Sequence, residues 1–134
     1  MSGYLERERE TCDRLLPGLD KQLEAWPLAE LERPGGPAIE LFKELGGAGL
    51  CVPVVHHGAG ATARDAVPVL RAIGARAPSL AIGTTMHHFS VASLVAMAGS
   101  SQGFEWLLLE GVADDRRLMA SGFAEGRTAQ GVLA

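Results

Sequence analysis

The sequence predicts an all-α domain, a bundle of five or six mostly antiparallel helices, with the first strand of a β-domain at its C-terminal end. Three observations predict it. Apolar residues recur at helical spacing from Leu5 to Leu109. Proline and glycine punctuate that pattern at Pro17-Gly18, at Pro34 to Pro37, at Gly46-Gly47 and at Gly99. After Asp114-Asp115 the period changes to two, with Leu118, Ala120, Gly122 and Ala124 alternating with Met119, Ser121 and Phe123. The change divides the chain into a helical domain over 1–113 and the start of a β-domain over 114–134.

Cys12, Leu15, Leu16, Leu19, Leu23 and Trp26 form one stripe, which Pro17-Gly18 breaks because proline lacks a backbone donor and disfavours helical geometry at Leu16. Pro37 is tolerated in the first turn of a helix whose buried face is Ile39, Leu41, Phe42 and Leu45, closing on Gly46-Gly47. A short apolar, strand-like run through Leu50 to Pro53 follows, then a glycine-spaced turn at Gly58 to Gly60. Thr62 and Asp65 fit a capping box at the start of a helix carrying Val67, Leu70 and Ile73, with Pro68 as a local distortion. Pro78 and Ser79 open the next helix, and Leu80 to Ala98 is so evenly apolar or small that burial on most sides is expected, with Gly99 as its end. Ser100 or Ser101 then caps a helix whose apolar face is Phe104, Trp106, Leu107, Leu108 and Leu109. Both Trp26 and Trp106 read as core residues.

Composition narrows the function. The chain has 134 residues, 47% hydrophobic and 21% charged, enough for one domain with a core and too apolar for general disorder. Its net charge is -4, and Arg7 and Arg9 alternate with Glu6, Glu8 and Glu10, so no basic face gathers for nucleic acid. The charged N-terminus and the lack of a run of about 18 apolar residues predict neither a secretory signal nor a membrane span, and a cytoplasmic protein is expected. Cys12 and Cys51 are then expected as reduced, buried thiols. His56-His57 and His87-His88 lack metal-ligand spacing, since adjacent residues on one element point apart and no HExxH or CxxC accompanies them. The expected roles are a satisfied core histidine with an exposed neighbour for His87 and His88, and a loop position near a pocket for His56 and His57. Gly58, Gly60 and Thr62 suit either an amide nest for an anion or, more simply, a turn.

The order of Gly49-Leu50, Val52-Pro53, Gly58-Ala59-Gly60, a histidine-bearing helix, Gly99 and the strand-like SGFAEG at Ser121 to Gly126 resembles the N-terminal domain of the acyl-CoA dehydrogenase family over nearly the whole chain. The resemblance implies a piece of a larger FAD enzyme, often a homo-oligomer, acting on an acyl-CoA or related small molecule by α,β-dehydrogenation. It places flavin contacts at Phe123, Ala124 and Glu125. The family's base lies in a C-terminal domain, so no catalytic residue is assigned and these residues alone are expected to be inactive. Ala124 stands where the family usually has threonine, and Gly126-Arg127 replaces proline-glycine. That departure suits the flavin monooxygenases of the same architecture, acting on a biosynthetic intermediate. A non-catalytic helical interaction module is a third possibility.

Overall fold

The computed structural model describes residues 3–100 and 102–120, and among them every regular element is helical. The strand expected around Ser121, together with Phe123, Ala124 and Glu125, lies outside the described residues. Helix α1 spans Glu6–Leu15 and α2 spans Leu19–Glu24, parted by Pro17-Gly18 as the sequence predicts. Gly18 supplies the break with φ +87°, a left-handed conformation that costs glycine nothing and other residues a steric penalty. The short α3, Leu28–Leu31, leads through Pro34 to Pro37 into α4, Ala38–Glu44. Helices α5 (Ala63–Arg76) and α6 (Pro78–Ser100) form a hairpin, and α7 (Glu105–Asp114) packs on α6. Helix α1 lies against α5 on the opposite side.

The core runs through all of these elements. Cys12, Leu16, Leu19 and Leu23 meet Phe42, Leu50, Val69, Ile73, Val91 and Leu109, each almost fully buried. Cys12 and Cys51 are free and buried, as expected. Burial pushes the Cys12 thiol up to about 12, helped by nearby Asp20, so it stays protonated. Asp20 is the one buried carboxylate among the described residues, and it is matched. Arg76 donates to it through Nε at 3.0 Å and Nη2 at 3.2 Å, and Arg9 stands 3.9 Å away, so one carboxylate ties α1, α2 and α5.

Helix α5 begins with the predicted capping box: Thr62 Oγ1 accepts from the Asp65 amide, and Asp65 accepts from the Thr62 amide. It passes through Pro68 unbroken. The carbonyl deprived of a donor belongs to exposed Arg64 in the first turn, where water can serve it.

Several expectations fail. Leu50 to Pro53 is not a strand. A 3₁₀ turn at Gly47–Gly49 leads into it, and the returning chain pairs with it only locally, through Ala59 N–H to Gly49 O, Gly60 N–H to Val52 O and Ala61 N–H to Leu50 O. Gly58 permits that fold-back, because a Cβ there would stand 2.1 Å from the Val52 carbonyl oxygen. Helix α6 is not buried on most sides: it sinks Leu80, Thr84, His87, His88 and Val91, continues past Gly99, and leaves Ile82 at 76% and Phe89 at 65% exposure. Its 23 residues and mean hydropathy of 1.3 make it long and apolar enough to cross a membrane, contrary to the sequence reading, because glycine, serine and threonine extend the apolar run. Here it packs between α5 and α7. Trp26 and Trp106 are surface residues, and α7 is entered from Phe104 without any side-chain cap.

Candidate functional site

His87 of α6 faces the point where the described chain leaves the bundle, and its neighbour His88 turns toward Phe42. His87 is 1% exposed and bonded on both ring nitrogens. Its Nε2 lies 2.7 Å from the Ala48 carbonyl, which can only accept, and its Nδ1 lies 2.9 Å from the Met119 amide, which can only donate. These partners require the neutral ring with its proton on Nε2. Burial lowers its proton affinity, with the bond to Ala48 opposing in part. The ring thus joins the 3₁₀ turn, the central helix and the segment heading toward residues 121–125.

Ala48 is presented by a turn that depends on Gly47, where a Cβ would meet the Phe42 ring at 2.3 Å. The Phe42 ring in turn meets His88 edge-on, with centroids 5.9 Å apart, and His87 meets His88 at 5.1 Å. His88 is not the exposed neighbour expected from sequence. It is 5% exposed, and neither ring nitrogen has a hydrogen-bond partner. Burial, and then the proximity of His87, drive its pKa down to about 4. Adjacent helical positions lie about 100° apart, so both can turn inward only where a helix is packed on two sides, as α6 is here by α5 and by the Gly47–Gly49 turn.

His56 and His57 fall in and after a second 3₁₀ turn, Val54–His56, and are held by α7. His56 Nδ1 is 3.1 Å from Glu110, and His57 Nδ1 is 2.9 and 3.0 Å from the two Asp114 oxygens. The Asp114 hydrogen bond raises the His57 pKa. Both rings clasp the loop to α7 through Nδ1. Among the described residues no three His, Cys, Asp or Glu side chains converge on a metal-sized site. The amides of Gly58, Gly60 and Thr62 are all spent on Pro53, Val52 and Asp65, so this segment is a turn and not an anion nest.

Beside the departing chain lies a cleft of about 340 Å³ between the α3–α4 loop and the start of α6, lined by Leu31, Pro34, Ile39, Leu80, Gly83 and Leu118. Glu32 closes one end by accepting from the Ser79 amide at 3.2 Å and from the Ser79 hydroxyl, capping α6. Sequence reasoning missed both the cleft and this cap. The cap joins residues 47 apart in sequence, and no local pattern carries it.

Comparison with known proteins yields one informative likeness. The chain is 48% identical over 132 residues to the isobutylamine N-hydroxylase of Streptomyces viridifaciens. It resembles an N-hydroxylase. The alignment takes in 96% of this chain and 35% of that protein, so the chain spans about a third of the relative's length. No family model and no solved structure matches the chain.

Proposed function

We propose that the chain is the N-terminal helical part of a flavin-dependent monooxygenase that hydroxylates the nitrogen of a small aliphatic amine. The observation that carries this reading is the 48% identity to a protein named for N-hydroxylation, extending over 96% of the chain. Ala124 in place of the threonine usual in acyl-CoA dehydrogenases points the same way. Dehydrogenation of an acyl thioester thereby becomes the second reading.

The described residues fit one wall of such a site. The cleft beside Leu118 has aliphatic sides suited to a short alkyl group. By this proposal the backbone of Phe123, Ala124 and Glu125 meets the flavin edge, and the rest of the dinucleotide is held by parts of the protein other than this bundle. Reduced flavin, when bound, supplies the activation of dioxygen. His87 contributes by fixing the Met119 amide, and so the direction in which the chain departs toward those residues. The apolar cleft contributes by seating the alkyl group and keeping water from it. Homo-oligomeric assembly in the cytoplasm belongs to the same proposal.

The test is made on the full-length protein. It should bind FAD or FMN and, with reduced flavin, dioxygen labelled with oxygen-18 and isobutylamine, release a hydroxylamine carrying the label. Anaerobic bleaching of bound flavin by an acyl-CoA, without amine oxidation, would restore the dehydrogenase reading. A protein that takes up no flavin would defeat both.

A further inference from the structure

Where the described chain leaves the bundle it is fixed on both sides of Leu118. Helix α7 closes on Arg116, left-handed at φ 54°, which brings the Arg117 amide within 3.2 Å of the Val112 carbonyl. Two residues on, the Met119 amide donates to His87 Nδ1 at 2.9 Å. Leu118, held between these bonds, borders two cavities at once: the cleft of about 340 Å³ proposed for the alkyl group, and one of about 360 Å³ against Leu107, Leu108 and Val112 of α7. It is the wall that parts them.

The first bond is ordinary helix closure, but the second comes from a side chain 32 positions away, and its direction is set by chemistry. The ring donates from Nε2 to Ala48 and accepts at Nδ1 from Met119. A second proton on the ring would keep the Ala48 bond and set one N–H against another at Met119. We propose that His87 is a positioning residue for amine selection: Nε2 anchors the ring to the bundle, while Nδ1, through the Met119 amide, holds Leu118 in place as a wall of the cleft. What the cleft receives rests on the proposed amine hydroxylation; the hold itself rests on geometry alone. The charges of the surrounding elements are engaged elsewhere. Asp65, Arg71 and Arg76 of α5 pair with α1 and α2, Glu110 and Asp114 of α7 pair with His56 and His57, and Arg117 pairs with Asp115. The titratable group against the ring is His88, 5.1 Å away between centroids. Burial lowers the proton affinity of His87, so the acceptor at Nδ1 is present at pH 6.5 and above and is lost only below it.

His87→Asn and His87→Gln separate the two ends of the ring in the full-length protein. The Asn oxygen stands about where Nδ1 does and keeps an acceptor for Met119, whereas the Gln amide nitrogen reaches about where Nε2 does and keeps a donor for Ala48. Each variant leaves one buried partner unmet, so both should lower the melting temperature alike. Two other readings should part them. Amide exchange at Met119 is expected to be about tenfold faster in the Gln variant than in the Asn variant, the return on one buried hydrogen bond. With isobutylamine as the probe amine, KM is expected to rise about tenfold in the Gln variant and to stay within about threefold of wild type in the Asn variant, with kcat moving less than KM in both. In the wild-type protein, protection at Met119, corrected for the intrinsic pH dependence of exchange, should fall as pH drops below 6.5, and the Asn variant should lack that step. His88 is present in both, so its own titration cancels. Equal exchange at Met119 in the two variants, or wild-type protection that follows the Asn variant at every pH, would overturn the hold. A KM unmoved by His87→Gln in a protein that does hydroxylate isobutylamine would overturn the role in selection. A protein that leaves the amine unoxidised defeats the proposed activity instead, and exchange at Met119 then decides the hold by itself.

Discussion

The buried histidines carry a pH dependence whose direction is fixed by their burial. Unfolded, each ring accepts a proton near its ordinary 6.5, whereas folded His88 resists protonation down to about 4 and His87 shifts the same way. Stability that is full above pH 6.5 should therefore be lost as pH falls from 6.5 toward 4, by about 3 kcal/mol from His88 alone. Urea titrations at intervals between pH 7.5 and 4 should show that slope, and His88→Leu should flatten it; an unchanged slope would refute the assignment. Asp20 is the other sensitive residue. Asp20→Ala strips Arg76 of its bidentate partner in a half-dry setting and should cost about 2–3 kcal/mol, read as a lower urea midpoint with an unaltered slope. Loss below 0.5 kcal/mol would show that Glu24 and solvent suffice for Arg76. None of these pairings was legible beforehand. Arg76 and Asp20 are 56 apart in sequence and His87 and Met119 are 32 apart, and only packing brings them together.

At the level of elements, what could be read was what local chemistry decides. Gly18 and Gly46 end their segments at φ +87° and +88°, and Thr62 and Asp65 build their cap from four consecutive residues. What could not be read was decided by neighbours. Leu50 to Pro53 has the composition of a strand but no partner long enough to make it one, so the run folds into tight turns against Ala59 to Ala61. Helix α6 is apolar nearly all round, so its sequence has no stripe to reveal which face turns inward. The fold-back at Gly58 gives a sharp test. Gly58→Ala forces a methyl to within 2.1 Å of a backbone oxygen that no rotamer change can move, and should cost about 2–4 kcal/mol. Because the same turn leads to the residues that clasp α7, amide exchange should quicken at His56 and His57 before it does in α1. Exchange unchanged throughout would mean that the loop accommodates the methyl.

At the scale of the whole molecule, a sound core coexists with a large uncovered surface. Ile82 and Met86 on α6, with Leu107 and Leu108 on α7, are exposed by 49% to 76%. Such faces drive association when nothing else covers them. Residues 1–134 produced alone should therefore sediment above the monomer mass and bind a hydrophobic dye, and Ile82→Glu combined with Met86→Glu should suppress both. A monomer that ignores the dye would show the surface to be innocuous. The all-helical class was legible from periodicity, but of the β-domain expected over 114–134 only residues 114–120 are described, and they form the end of α7 and an irregular segment. The placement of the core has one more consequence. Every buried hydrophobic side chain among the described residues falls between Cys12 and Val112. A ribosome that has extruded the chain through Val112 has thus delivered every buried hydrophobic side chain of the described residues, with Ala113 and Met119 still to pack on the rim, and folding can begin while translation of whatever follows is still under way.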